Sequence, residues 1–294
     1  MKIAVTGASG LIGTALVPAL RRDGHEVLRL VRRPTQTPDE VTWDPAAGTV
    51  DLDRLAGTDA VVHLAGVGVG DRRWTAAHKA DILASRVQGT RTVARAVATL
   101  DPRPAVLVSA SAIGFYGDTG DREVDESAPA GTGFLAGVVQ AWEAAADEAR
   151  AAGVRVVHPR SGLVMSRKGG AWGRMLPLFR LGLGGRLGPG DQYWSYITLE
   201  DEVRALSFLL IAGLSGPVNL TAPNPVTNAE LTRAMGAALH RPTVFAVPGA
   251  ALRLVLGEFS TEVLGSARVL PHALQRAGFA FKHPDVTTAV ATIA

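Results

Sequence analysis

The chain has 294 residues, 47% of them hydrophobic, and its 30 basic and 27 acidic residues give a formal net charge of +3. That is enough for one large α/β core with a smaller appendage, but no apolar run approaches the ~18 residues of a membrane span, and the basic residues are too dispersed for a nucleic-acid face. With no cysteine and seven scattered histidines, disulfides, thiolate nucleophiles and metal centres are not expected; the lack of a membrane-length apolar run makes a cytoplasmic protein the expectation.

The first strand, Lys2-Ile3-Ala4-Val5, runs through Thr6 into Gly7-Ala8-Ser9-Gly10-Leu11-Ile12-Gly13 and then into a helical pattern with Leu16 and Leu20 inward. In such a unit Gly7 permits a tight turn, Gly10 lets the backbone approach a pyrophosphate, and Gly13 lets the helix pack against the strand beside it. The free N–H groups and positive dipole end of the helix favour a dianion. A second strand, Glu26 to Val31, ends at Arg32 and Arg33. No acidic residue stands there to take the ribose hydroxyls of NAD, whereas arginine suits the 2′-phosphate of NADP; two solvated surface arginines are the alternative.

Asp59 to Leu64 is a third strand, opening into the glycine-rich loop 65–70 at the carboxyl edge of the sheet, where ligands bind. His63, inside an apolar strand, reads as structural. Thr75 begins a helix to about Leu100 that carries Asp81, Ser85 and Arg86; these form a solvated face, or Arg86 reaches the cofactor. The fourth strand, Pro104 to Ser109, delivers Ser111 and Tyr116 to the same edge, either to bind or protonate a substrate oxygen or simply to cap and pack. Residues 118–132 read as a loop or lid and Phe134 to Ala151 as one helix. The fifth strand, from Val154, ends at His158-Pro159-Arg160. The glycine-rich stretch that follows, to about 196, reads as an irregular substrate cover or as filler. Thr198 with Asp201, and Thr227 with Glu230, are spaced as helix capping boxes. From Thr243 onward short helices carry too few apolar residues to fold alone, so this tail is expected to dock on the main body.

The motifs Thr6 to Gly13, Asp59 to Gly66 and Val108-Ser-Ala-Ser111 resemble the extended short-chain dehydrogenase/reductase superfamily. Arg73-Trp74, Ser85-Arg86-Val-Gln-Gly89-Thr90, Gly114-Phe-Tyr116-Gly117, Trp142-Glu143, Gly182-Leu-Gly184-Gly185 and Arg268-Val-Leu-Pro271 narrow the resemblance to its atypical epimerase family protein branch. It implies an α/β fold: a Rossmann-type doubly wound parallel sheet with a small C-terminal substrate lobe. Residues 1–241 would form the NADP-binding domain with a substrate-lobe insertion at about 165–196, and residues 242–294 a docked helical tail.

The superfamily's usual chemistry needs Tyr and Lys four apart on one helix face. The tyrosines here are Tyr116, Tyr193 and Tyr196 and the lysines Lys2, Lys79, Lys168 and Lys282, so no such pair exists. By position relative to Glu143, the two roles fall on Leu135 and Val139; the family's serine matches Ser111, and its asparagine is Arg86. The leading expectation is an NADP(H)-dependent oxidoreductase acting on a small carbonyl or alcohol, with Ser111 and Tyr116 as non-standard catalytic groups. Cofactor contacts are expected from Gly7, Ser9, Gly10, Leu11, Ile12, Gly13, Arg32, Arg33, Leu64, Ala65, Gly66, Asp81, Arg86, Pro159 and Arg160. A non-catalytic NADP(H) sensor, or a nucleotide-sugar epimerase with its sugar pocket in residues 169–196, are the alternatives. A small-molecule substrate is the expected partner, with no membrane.

Overall fold

The computed structural model describes residues 1–294. Strands β1 (Lys2–Thr6), β2 (Glu26–Val31), β3 (Glu40–Asp44), β4 (Thr49–Val50), β5 (Ala60–His63), β6 (Val106–Ser109), β7 (Ser111–Ala112), β8 (Arg155–Ser161) and β9 (Gly216–Leu220) form one sheet. Its order is β9-β8-β6-β5-β1-β2-β3-β4, with β7 also beside β8. Every pairing is parallel except β3 with β4. The chain reverses its winding between β1 and β5, and the crevice at the carboxyl ends of those strands is where this architecture takes ligands.

The helices that position the site are α1 (Gly13–Arg22), α2 (Ala76–Thr99), α3 (Phe134–Ala144), α4 (Asp147–Ala151), α5 (Gly170–Arg180), α6 (Leu199–Ile211), α7 (Asn228–Leu239), α8 (Gly249–Leu256) and α9 (Ser260–Leu264). Both faces of a parallel sheet must be covered, which explains its nearly unbroken apolar strands. On one face Leu16, Leu20, Leu206 and Leu209 pack on Ile3 and Val5, joined by Leu274 and Phe279 from the tail. On the other, Val93 and Val97 of α2 pack with Ala4, Val61 and Leu107. A third cluster, with Trp172, Leu176, Leu231, Met235, Val290 and Ile293, builds a smaller lobe in which the end of the chain is a core component.

The structure departs from the sequence reading in four places. Strand β3 went unread because Glu40 and Asp44 interrupt its apolar pattern; Glu40 is buried all the same, held by arginines. The stretch 165–196 is not irregular: it contains α5, whose Trp172, Leu176 and Phe179 face the lobe at helical spacing despite Gly170 and Pro177. The expected helix from Phe134 to Ala151 breaks into α3 and α4, where two small buried residues, Ala146 and Ala149, let the second piece lie against the sheet. The Thr227–Glu230 box closes in both directions. At α6, Thr198 caps Asp201 N, but the Asp201 carboxylate turns away to accept from Lys282 N and His283 N at 2.9 Å each and from Arg204 at 2.7 Å.

Asp201 is fully buried and ties the tail to the body. Removing a buried charged acceptor strands its donors, so Asp201→Ala should lower the unfolding free energy by about 3 kcal/mol, whereas the exposed cap change Thr227→Ala should cost about 1 kcal/mol. Urea midpoints that place Asp201→Ala no lower than Thr227→Ala would count against Asp201 as the tether.

Candidate cofactor and active site

Thr6 ends β1 with its hydroxyl accepting from Leu64 N at 3.1 Å and Ala65 N at 3.2 Å, and 2.7 Å from His63 Nδ1. The turn after β1 is thereby fastened to the loop after β5. Gly7 has a φ of +66°, and a Cβ on it would lie 2.8 Å from the Leu64 carbonyl carbon. A Cβ on Gly13 would lie 2.2 Å from Gly7 O, so Gly13 is required by the turn itself rather than by the neighbouring strand. Gly10 and Ser9 are exposed. Helix α1 starts without a side-chain cap, and the N–H groups of Leu11, Ile12 and Gly13 have no hydrogen-bond partner within the protein. Uncapped donors at the positive end of a helix make an anion site. His63 is fully buried, and burial pushes it down to about 4, which keeps it neutral; it packs edge-on against Trp43, a structural role.

At the end of β2 the two arginines differ. Arg33 forks onto Glu40, with Nη1 to Oε2 at 2.9 Å and Nη2 to Oε1 at 2.6 Å. Its bonds, with that from Gln36 N, hold Glu40 at about 2. Arg32 is exposed and enters no ion pair or hydrogen bond in the protein, which leaves its guanidinium uncommitted beside the turn.

Ser111, Tyr116 and Arg160, expected at the substrate and the cofactor, are brought together in one buried network with Glu143. Arg160 is 3% exposed and grips Glu143 of α3 by Nε to Oε1 and Nη2 to Oε2, both at 2.8 Å. Its third nitrogen donates to the Tyr116 hydroxyl at 3.0 Å, and its plane lies 3.4 Å from the Phe115 ring centroid. Tyr116, also 3% exposed, passes its own proton to Asn219 Oδ1 at 2.7 Å. Ser111 donates to Glu143 Oε1 at 2.6 Å. Burial favours the neutral form of both Tyr116 and Glu143; it prevails for Tyr116, raising the phenol, while the bonds from Arg160 and Ser111 outweigh it at Glu143 and hold that carboxyl low. A hydroxyl sealed between a guanidinium and an amide is a structural member rather than an accessible proton donor. Pro159 is buried in the middle of β8 opposite Val218, and Asp81 is exposed on α2 without a bond, so neither is brought to the turn by a contact of its own.

The sequence reading missed Glu143 and Asn219 as partners of these groups and missed Glu202 altogether. The one available signal was a charge set in an otherwise apolar element, as at Trp142-Glu143 and in β8. Glu202, 1% exposed on α6, accepts from Ser161 Oγ at 2.6 Å at the carboxyl end of β8, and burial pushes it up to about 7.

Beside the loop after β5, Trp74 packs edge-on against Phe134 and at a tilt against the tail residue Phe259, at centroid distances of 5.0 and 5.5 Å. Leu135, in the family's tyrosine position, lies against Gly114, and Val139 is buried. Arg174 of α5 donates to Gly70 O, and Lys79 pairs with Glu258 at 2.6 Å, so lobe and tail both close on the loop after β5.

Two outcomes follow from these geometries. Tyr116→Phe strands Asn219 Oδ1 and one Arg160 donor, and should cost about 2 kcal/mol of stability; an unchanged denaturation curve would mean the hydroxyl is free. Glu202 holds a proton in the fold that the unfolded chain sheds at its ordinary value of 4.5, so its stabilisation is full below about pH 4.5 and is lost as pH rises through about 7. Glu202→Gln should therefore match the wild type in acid and exceed it by roughly 2–3 kcal/mol in mild alkali. A pH-independent difference between the two would refute the assignment.

Residues 3–220 match the NAD dependent epimerase/dehydratase family, and residues 247–293 match a domain of unknown function, DUF1731. The chain is 50% identical over 290 residues to epimerase family protein Mb2239 of Mycobacterium bovis, covering 98% of this chain and 96% of that protein. It is 35% identical over 300 residues to the human epimerase family protein SDR39U1, covering 100% and 99%. It superposes on the crystal structure of human SDR39U1 (isoform 2) with NADPH at a TM-score of 0.91 and 34% identity, covering 100% of this chain and 99% of that one. UDP-N-acetylglucosamine 4-epimerase from Bacillus cereus, at 19% identity and a TM-score of 0.76 over 100% and 98% of the two chains, shares the fold. The chain belongs to the NAD dependent epimerase/dehydratase family of the short-chain dehydrogenase/reductase superfamily, in the group whose C-terminal part is the DUF1731 domain.

Proposed function

We propose that this protein binds NADP(H) at the Gly7–Gly13 turn and acts as an oxidoreductase on a small carbonyl or alcohol. The observation that carries the reading is the pairing of three unbonded N–H groups, on Leu11, Ile12 and Gly13, with the uncommitted guanidinium of Arg32 at the end of β2. The first set suits a pyrophosphate and the second a 2′-phosphate. Ser9 and Gly10 line the open side of the turn, and the loop Leu64-Ala65-Gly66 borders it. Arg33 acts indirectly, by anchoring the β2–β3 connection through Glu40. The human relative crystallised with NADPH supports the same choice. The bound nicotinamide would supply or accept hydride; the chain's share is to orient it, exclude water through the aromatic cleft and position the substrate.

A second reading, a non-catalytic NADP(H) sensor, is favoured by the sealed hydroxyls of Ser111 and Tyr116, which leave the proton to a group outside that pair. Nucleotide-sugar epimerisation is the third, and it lacks a feature of its own in residues 169–196, where α5 faces the lobe core.

Titration with each cofactor should show NADPH binding more tightly than NADH. Arg32→Ala should weaken NADPH by roughly 10- to 100-fold and leave NADH unchanged. Equal wild-type affinities for the two would overturn the assignment. Incubation with NADPH and a broad panel of aldehydes and ketones then separates the first two readings: tight binding with no NADPH oxidation selects the sensor.

A further inference from the structure

Arg86 projects from α2 toward the loop after β5. A helical side chain leans back toward the helix N-terminus, and the guanidinium accordingly sits near Ile82, with Nη1 donating to Val67 O at 2.8 Å and Ile82 O at 3.2 Å. It stacks over the Trp142 ring at 4.9 Å, and a Cβ on Gly66 would lie 3.6 Å from its Cζ. Arg160, the arginine that is buried at this end of the sheet while Arg86 is half-buried, is neutralised by Glu143. Arg86 is not: no carboxylate is in reach, and only burial acts on it, pushing it down to about 10, which leaves it charged at neutral pH. Its Nε and Nη2 make no hydrogen bond in the protein, yet they are not among the sealed unpartnered atoms, so that edge opens to solvent.

An unneutralised guanidinium beneath a glycine loop, next to an apolar wall of Val67, Val69, Trp74, Leu135 and Phe259, is costly unless an anion completes it. We propose that Arg86 is the substrate anchor beneath this loop, its free Nε–Nη2 edge taking the carboxylate of a substrate that is otherwise apolar. A two-nitrogen edge matches a carboxylate in bidentate geometry, and one cation in apolar surroundings suits a single negative charge better than a phosphate dianion. Arg86 then serves the substrate rather than the cofactor, and the proposal rests on the NADP(H) reading of the site.

Calorimetry on the protein saturated with NADPH tests it, with 2-oxo-4-phenylbutanoate and its methyl ester as probes. The wild type should bind the acid roughly 10- to 100-fold more tightly than the ester. Arg86→Met should bind the two alike and hold NADPH as well as the wild type, with a modest fall in melting temperature from loss of the Nη1 bonds to Val67 O and Ile82 O. Arg86→Lys should fall between them. Equal or undetectable binding of acid and ester by the wild type would overturn the proposal. So would tenfold weaker NADPH binding by Arg86→Met, which would return the residue to the cofactor, or an acid-to-ester ratio in Arg86→Met equal to that of the wild type. If NADPH itself does not bind the wild type, the cofactor reading fails separately, and the acid-to-ester ratio in the cofactor-free protein decides the role of Arg86.

Discussion

The ion pair between Arg160 and Glu143 is the interaction on which the carboxyl end of the sheet depends. Taking both charges out of water costs several kcal/mol per ion, and the pair holds only because its remaining hydrogen-bonding capacity is met. Arg160 uses Nε and both terminal nitrogens, and Glu143 takes a further bond from Ser111. Through Tyr116 the chain of bonds reaches Asn219 in β9, whose amide donates to Leu270 O in the tail at 2.9 Å. One guanidinium thus joins α3, the segment after β6, strands β8 and β9, and the C-terminal domain.

That network determines what chemistry remains. Ser111 and Tyr116 stand where the fold usually delivers catalytic hydroxyls, but Ser111 donates into the pair and Tyr116 donates to Asn219 while accepting from Arg160. The helix that normally adds tyrosine and lysine presents Leu135 against Gly114 and buried Val139 instead. What stays open at this edge is cationic or donor in character: the N–H groups opening α1, Arg32, and the free edge of Arg86. A site with these groups is suited to binding anions around an apolar cleft, and less suited to the proton abstraction that ordinary epimerisation requires.

The parts of this architecture legible in the sequence are those set by local rules. Gly7 and Gly13 announce the turn because backbone geometry excludes a side chain at both positions, and the strands from β1 to β9 other than β3, β4 and β7 announce themselves as short apolar runs between turns. Long-range pairing was not legible. Arg160 was placed at the cofactor because it follows a strand, and nothing in its neighbourhood reveals Glu143, 17 residues earlier on another element. Arg32 and Arg33 look equivalent until Glu40 claims one of them. Helix α5 was hidden by Gly170 and Pro177, although the spacing of Trp172, Leu176 and Phe179 carried the signal. Asp201 satisfies the spacing of a capping box, yet two tail N–H groups compete for its carboxylate and win.

The tail is therefore part of the fold, and it also meets the elements around the loop after β5. Leu274 fills a core begun at Ile3, and Val290 and Ile293 complete the one that holds Met165 and Trp172, while Phe259 and Glu258 pack on Trp74 and pair with Lys79. In the proposed reading, the nucleotide half of the site comes from the first 70 residues, and the substrate half borders on the domain that follows the sheet. Specificity in this protein is accordingly to be sought where α8 and α9 approach the loop after β5, with Arg86 beneath it.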